Sequence, residues 1–359
     1  MIHTVIMAGG AGTRFWPASR TNVPKQLLTM VGERSMIQST VDRVSSLSTA
    51  DRLIVATNHM LVPAIREQLP ELPAESFLGE PCKRDTAPCV GLAAAIIHLK
   101  DPDAIMAVMP SDHVIGPDDV FCEAISAAAE IVRADKTALF TFGIQPTYPA
   151  EVFGYIERDE RQPVSCRFPA WKVRRFREKP DATTAAGFLE QGGFFWNAGI
   201  FVWHVETILS ALREFEPQMM EHIDRIATAH GSKDFDSVFA SEFESIKGTS
   251  IDFAVMERYK NVQVIQAPFG WDDLGSWLSL ARLRGVDEDG NTVSGNHLGI
   301  RTQNTIIRSD DGHMIVTLGV SDLIVVHTAD ATLVAHRDDE AAVKQVVDAL
   351  KSKGLTEYL

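Results

Sequence analysis

A run of β-branched and apolar residues, Ile2–Met7, leads straight into Ala8-Gly9-Gly10-Ala11-Gly12-Thr13-Arg14-Phe15-Trp16-Pro17. An apolar run that ends in a glycine-rich, then basic, loop reads as the first strand of an α/β sheet with a phosphate loop at its carboxyl end. Glycines let backbone N–H groups approach a phosphate with no β-carbon in the way, and Arg14 can neutralise its charge. Two familiar loops are excluded. No third glycine completes GxGxxG, and no GK[ST] follows to make a Walker A loop. The next stretch, Ser19-Arg20-Thr21-Asn22-Val23-Pro24-Lys25-Gln26, adds Arg20 and Lys25, so that three cations can converge on a triphosphate.

Strand-like runs continue at Leu53–Ala56, Ser76–Leu78, Ala104–Met109 and Leu139–Phe142, and helical spacing of apolar residues appears at Met36–Leu47, Ala87–Leu99 and Val120–Val132. This alternation predicts a Rossmann-like, mixed but mostly parallel sheet with helices on both faces. Extended segments near Phe153–Glu157, Trp171–Arg177 and Ile200–His204, interrupted by helices, read as insertions into that domain. After Gly285 the pattern changes to short β-rich stretches, Asn304–Arg308, Met314–Leu318, Leu323–His327 and Ala331–Val334, and then an amphipathic helix near Glu340–Lys351. The expectation is a catalytic domain over 1–284 and a small β-solenoid-like domain over 285–359, with a plain antiparallel sheet fitting the second pattern almost as well.

Charge narrows the partners. With 34 Lys and Arg against 48 Asp and Glu, a net −14, the chain opposes general attraction to nucleic acid or anionic lipid. Its four cysteines form no CxxC pair and have no His at zinc-ligand spacing, which fits reduced thiols in a cytoplasm. The N-terminus lacks the basic segment of a signal peptide, and the longest apolar run, Cys89–Ile97, is far short of the ~20 residues that span a bilayer. The reading is a soluble cytoplasmic protein with no membrane anchor.

The loop as a whole, GGxGTRxWPxSRxxxPKQ, resembles the signature of the sugar nucleotidyltransferases. Trp16 with the ending Pro24-Lys25-Gln26 is similar to the form found in mannose-1-phosphate guanylyltransferases. The resemblance continues through Gly79-Glu80-Pro81, Arg84-Asp85-Thr86-Ala87-Pro88, Pro110-Ser111-Asp112-His113, Phe153-Gly154-Tyr155-Ile156 and Phe176-Arg177-Glu178-Lys179-Pro180. It runs on through Trp196-Asn197-Ala198-Gly199-Ile200-Phe201, Ser250-Ile251-Asp252-Phe253-Ala254-Val255-Met256-Glu257 and Gly270-Trp271-Asp272-Asp273-Leu274-Gly275-Ser276-Trp277. Two features depart from the family pattern. Asn is more usual where Asp85 stands, and the chain ends at Leu359 without the isomerase domain of longer, bifunctional members, so isomerase activity is not expected.

The resemblance implies an Mg²⁺-dependent enzyme that makes GDP-mannose and pyrophosphate from GTP and mannose 1-phosphate. It assigns Mg²⁺ to Asp112 and Asp273, with Asp273 chosen over Asp272 for its place before Leu-Gly-Ser-Trp. It gives catalysis to Arg14 and Lys25, and nucleotide binding to Gly9, Gly10, Gly12, Thr13 and Arg14. Sugar hydroxyls go to Glu178, the sugar phosphate to Lys179, and the rest of the sugar pocket to Asn197 and the backbone at Gly154. Glu178 and Lys179 would point in opposite directions if they end an extended segment. Guanine presents N1–H and N2–H₂ donors, so its reader should be an acceptor, and Glu80 is the candidate, with Asp85 and Thr86 beside it. Asp252 belongs to a family motif without a role derivable from sequence.

A sugar phosphate is largely dianionic at neutral pH, its second pKa being near ~6, so the nucleophile needs no catalytic base. Another sugar 1-phosphate or nucleoside triphosphate is the alternative within this chemistry. A subunit that binds nucleotide sugars without turnover is the alternative outside it, disfavoured because Arg14, Lys25, Asp112, Lys179 and Asp273 are all present. The C-terminal coils serve either to pair two copies into a homodimer or to cap the large domain.

Overall fold

The computed structural model describes residues 2–10, 12–310 and 312–359. Ala11, part of the glycine-rich string, lies outside the described residues. The chain forms two compact units, one of Met1–Gly9, Val41–Ser111 and Ile115–Trp271, the other of Gly10–Thr40, Asp112–Val114 and Asp272–Leu359.

The first unit is built on nine strands: β1 (Ile2–Met7), β2 (Leu53–Asn58), β3 (Phe77–Glu80), β4 (Ile105–Pro110), β5 (Leu139–Ile144), β6 (Tyr155–Pro163), β7 (Ala170–Arg177), β8 (Phe194–His204) and β9 (Val262–Gln266). Their order across the sheet is β3-β2-β1-β4-β8-β5-β9-β7-β6, with β6 also paired to β8. The strands β3, β2, β1 and β4 are mutually parallel, β8 runs antiparallel to both β4 and β5, and β9 is parallel to β5. The expected mixed, mostly parallel sheet is therefore present, and the antiparallel strands come from the section read as insertions. β1 and β4 are buried nearly throughout, as continuous apolar runs in a sheet covered on both faces should be. The helix Thr86–Lys100 is buried on every side from Ala87 to Ile97 and packs on the helices Val205–Phe215 and Pro217–Ala229. The helix Asp118–Ala134 instead buries one stripe, including Phe121, Ile125, Ala128 and Val132. The Ser111 N–H donates to the Met7 carbonyl (3.0 Å), fixing the carboxyl ends of β1 and β4 side by side.

The second unit contains β10 (Thr292–Ser294), β11 (His297–Gln303), β12 (Ile306–Ser309), β13 (Ile315–Ser321), β14 (Leu323–His327) and β15 (Thr332–His336), followed by the helix Val343–Ser352. β10, β12 and β14 pair in parallel, as do β11 and β13, which is the stacking of a solenoid, while β15 closes on β14 in antiparallel fashion. The single boundary expected between residues 284 and 285 is not where the contacts divide. Phe15, Trp16, Leu28 and Met30 from the N-terminal loop share one core with Leu274, Trp277, Ile306, Ile324, Val326, Val343 and Val347, so burial assigns the loop to the C-terminal unit.

Trp277 sits at the centre of that core. It is fully buried, meets Phe15 edge-on at 5.1 Å and donates its indole N–H to the Trp16 carbonyl at 3.3 Å. The tryptophans of two sequence motifs are thus structural, and neither is a free stacking platform. Replacing a buried Trp by Ala typically costs ~3–5 kcal/mol, and Trp277→Ala is expected to lower the thermal midpoint by several degrees while leaving the far-ultraviolet spectrum near native at low temperature. A midpoint unchanged in calorimetry would contradict this central position.

Candidate active site

Within the second unit, three distant parts of the chain meet at one ammonium group. Lys25 is buried, and its Nζ donates to Asp112 Oδ2 at 2.9 Å and to the Asp273 carbonyl at 2.7 Å. The turn Lys25–Leu27 follows Pro24, whose extended conformation starts it. Gly12 makes the placement possible: its φ is +59°, and a β-carbon there would lie 2.5 Å from the Lys25 β-carbon. Thr13 opens the short turn Thr13–Phe15, and the exposed Arg14 donates through Nη1 to the Gly275 carbonyl at 3.3 Å. Gly10 is open, with no described atom beyond its chain neighbours within 4 Å of where a side chain would start, and Gly9 in the first unit is equally open.

The two aspartates are held differently. Burial alone would push the Asp112 carboxyl up, but the charges of Lys25 and His113 and the bond from Lys25 outweigh it and hold the group below the usual carboxylate range. Burial pushes Asp273 up against the pull of Lys25, and the neighbouring Asp272 and Asp112 add to the rise. Asp272 is already committed, since Arg282 Nε meets its Oδ2 at 3.0 Å and the Leu274 N–H meets its Oδ1 at 2.7 Å. Among the described residues no group of three or more His, Cys, Asp or Glu side chains converges on a metal position. Asp112 and Asp273 nevertheless suit a hard cation that takes its remaining ligands from phosphate and water. A cation there would offset the burial, and the smaller repulsion from Asp272 and Asp112, that raise Asp273.

The first unit holds the other predicted residues. Asn197 lies on β8 beside Gly154, whose carbonyl accepts the Asn197 N–H at 2.8 Å. A β-carbon at Gly154 would come within 2.5 Å of Glu178 Oε2, so the carboxylate lies directly over the Gly154 backbone and a side chain there would displace it. The opposite directions expected for Glu178 and Lys179 do not occur. β7 ends at Arg177, Lys179 turns at φ +43°, and its ammonium pairs with the carboxylate of its own neighbour Glu178. Glu178 is nearly buried and Lys179 is largely exposed. Sequence reading missed Thr141 on β5, whose hydroxyl donates to Asn197 Oδ1 at 2.8 Å, and a threonine inside an apolar strand carries no signal for that.

Around the end of β3, Glu80 is buried, and burial pushes its carboxyl up to about 7 even though the Cys89 thiol hydrogen-bonds to it and lowers it. Its Oε1 has no hydrogen-bond partner among the described residues. Asp85 caps the helix Thr86–Lys100 by accepting from the Thr86 N–H at 2.8 Å, at φ 67° and ψ −168°, a conformation that strongly favours glycine. The Thr86 hydroxyl accepts from the Ile251 N–H at 2.9 Å. A separate polar cleft of about 430 Å³, lined by residues such as Glu157, Arg158, Arg174 and Gly193, contains none of these groups. Its Arg174 and Arg158 are already paired with Glu157 and Glu160.

A family model for nucleotidyl transferases matches residues 3–289, and one for a MannoseP isomerase/GMP-like beta-helix domain matches residues 295–350. A mannose-1-phosphate guanylyltransferase of Escherichia coli is 35% identical over 99% of this chain and 76% of its own length. The mannose-1-phosphate guanylyltransferase RfbM of Salmonella typhimurium is 37% identical over 99% of this chain and 73% of its own. A solved structure from Thermus thermophilus, described as a mannose-1-phosphate geranyltransferase, matches with a TM-score of 0.85 at 29% identity and covers 98% of this chain and 99% of its own.

The buried Glu80 makes the stability of the fold depend on pH. Its folded pKa lies above the unfolded value of 4.5, so the native state keeps a proton that the unfolded chain gives up, and stability is lost as pH rises from about 4.5 to about 7. The loss is at most about 3 kcal/mol for a shift of this size. Glu80→Gln is expected to raise the thermal midpoint at pH 8 relative to the parent and to leave it unchanged at pH 4. Equal midpoint differences at both pH values would show that Glu80 is not held at this cost.

Proposed function

Because the chain belongs to the nucleotidyl transferase family, and within it to the mannose-1-phosphate guanylyltransferases, we propose that it joins GTP to α-D-mannose 1-phosphate, forming GDP-mannose and releasing pyrophosphate. The observation that carries the reading is the buried Lys25 ammonium gathered with Asp112 and Asp273 behind the Gly12–Arg14 turn. A nucleoside triphosphate needs cations and a metal-binding carboxylate pair at its phosphates, and these residues supply both.

An oxygen of the sugar phosphate attacks the α-phosphorus of GTP in line. One P–O bond forms to that oxygen as the bond to the β-phosphate oxygen breaks, and the electron pair leaves with pyrophosphate. The nucleophile is already ionised, so no side chain has to remove a proton. Glu178 accepts from sugar hydroxyls, Asn197 and the Gly154 backbone complete the sugar's contacts, and Lys179 exchanges its pairing with Glu178 for the sugar phosphate. Gly9, Gly10, Gly12 and Thr13 leave backbone room for the triphosphate, and Arg14 and Lys25 neutralise charge as it develops. Asp112 and Asp273 would hold Mg²⁺, whose contribution when bound is to draw charge from the phosphate oxygens. Glu80 accepts from guanine, with Asp85 and Thr86 shaping the loop beside it. An orphaned carboxylate oxygen in a buried position supports this reading, because a ligand donor would satisfy it.

Functionally we divide the chain into a catalytic domain over 1–284 and an appended β-rich domain over 285–359, a division supported by the family models ending at 289 and beginning at 295. No helix among the described residues is long and apolar enough to cross a membrane, and we place the enzyme in the cytoplasm, where its nucleotide substrate is made.

Pyrophosphate release should be measured with GTP, ATP, CTP, UTP and dTTP against mannose 1-phosphate and glucose 1-phosphate. The expected outcome is a strong preference for GTP with mannose 1-phosphate, abolished by EDTA and restored by Mg²⁺. Release with a different pair would keep the chemistry and overturn the substrates. In the same assay Lys25→Ala is expected to lower kcat by about a hundredfold or more with little change in KM for mannose 1-phosphate, the signature of a contact made mainly in the transition state. A raised KM alone would assign Lys25 to ground-state binding.

A further inference from the structure

The segment after Ile251 winds as a single π-helical stretch, Asp252–Met256, closed by a hydrogen bond from the Glu257 N–H to the Asp252 carbonyl at 3.0 Å. In an α-helix, residues five apart lie about 140° from each other around the axis, whereas an i→i+5 turn brings them closer to one side. The two carboxylates so gathered each hold a different residue of the sugar group. Asp252 Oδ1 accepts from Asn197 Nδ2 at 3.1 Å, and Glu257 Oε1 accepts from the Glu178 main-chain N–H at 3.0 Å. The start of the turn is itself tied down, because the Ile251 N–H bonds the Thr86 hydroxyl.

The amide of Asn197 is fully specified by its neighbours. Its Oδ1 receives the Thr141 hydroxyl at 2.8 Å and the Gly199 N–H at 3.2 Å. A main-chain N–H can only donate, so the oxygen must face Gly199 and the nitrogen must face Asp252. Both lone pairs of the oxygen are then used and one of the two N–H bonds is taken. Asn197 retains a single N–H to offer, and Glu178, lying over Gly154, offers an acceptor. A hydroxyl of a sugar has one donor and an acceptor oxygen, and the two side chains present the complementary pair.

We propose that Asp252 and Glu257 are positioning residues of the sugar-phosphate site: Asp252 holds Asn197 as a donor to a sugar hydroxyl oxygen, and Glu257 fixes the main chain that presents the Glu178 carboxylate as an acceptor. The proposal rests on the reading of Glu178 and Asn197 as sugar ligands. Keeping Asp252 here is unfavourable for the fold, since burial and then the Glu178 carboxylate push it up to about 7, against the opposing pull of Lys179. A group held at such a cost in a well-packed segment fits a functional role better than a structural one.

The test compares Asp252→Ala, Asp252→Asn, Asn197→Ala and the double variant Asp252→Ala/Asn197→Ala. Steady-state kinetics for each substrate are read alongside calorimetric binding of mannose 1-phosphate and the thermal midpoint. Asp252→Ala is expected to raise KM and Kd for mannose 1-phosphate about tenfold, as losing a hydrogen bond to a charged acceptor implies, with KM for GTP unchanged. Asp252→Asn, which keeps an acceptor oxygen for Asn197 Nδ2, is expected to recover most of the affinity. In the Asn197→Ala background, removing Asp252 should add nothing, because its effect passes through Asn197.

KM rising equally for both substrates, unchanged sugar-phosphate binding in Asp252→Ala, or additive losses in the double variant would overturn the proposal. If Asp252→Ala does not fold, Thr141→Val, which removes the other side-chain anchor of the same amide, has to show the same sugar-selective loss or the proposal fails. The parent protein is measured first against both sugar 1-phosphates. Preference for the other sugar there counts against the substrate assignment, and the variants are then read with the sugar that binds.

Discussion

The second unit of this molecule is organised around one buried ammonium group. Lys25 lies far in sequence from Asp112 and farther still from Asp273, yet its Nζ bonds a carboxylate of one and a carbonyl of the other. A buried cation is unfavourable unless its hydrogen bonds are satisfied, so the pairing constrains all three segments at once. Gly12 has to lack a β-carbon to let the Lys25 backbone approach, and the chain between them has to turn back through Phe15 and Trp16. Those aromatic residues are then buried with Trp277, a few residues beyond Asp273. The glycine-rich loop, Asp112, Asp273 and the C-terminal coils fall in one unit through this pairing and the shared apolar core, although the sequence distributes them over its whole length.

The first unit is organised by a different constraint. Its continuous apolar strands pack with the helix Thr86–Lys100, buried from Ala87 to Ile97, and several polar groups are set at the sheet's margins under unfavourable conditions. Glu80 and Asp252 are both pushed up to about 7, chiefly by burial, and Asp85 occupies a backbone conformation suited to glycine. Such costs collect where a ligand will supply the missing partner or where geometry matters more than stability.

Much of this was legible in the sequence because it rests on local patterns. The runs Ile2–Met7 and Leu139–Phe142 and the helical spacing at Ala87–Leu99 stand close to the observed elements. The glycine loop was legible because close backbone approach demands glycine whatever the fold. What was not legible depends on contacts between distant residues. β11, His297–Gln303, exposes most of its side chains and has no apolar alternation toward a core. The boundary expected at 285 could not show that Phe15 and Met30 are buried with Ile306. Lys179 reads as the next step of a strand, and only its positive φ turns it onto Glu178. Asp252 and Glu257 stand in a recognisable motif, yet the bonds they make to Asn197 and Glu178 are formed across a π-helical turn, for which spacing gives no sign.

The most direct test of the central arrangement is a crystal structure of the protein with GTP and Mn²⁺, read by anomalous scattering. The expected result is a manganese peak ligated by carboxylate oxygens of both Asp112 and Asp273 and by nucleotide phosphate oxygens, with Lys25 still beside it. A peak held by Asp272, or by phosphates alone with Asp112 and Asp273 turned away, would contradict the claim that Lys25 gathers these two aspartates for a metal.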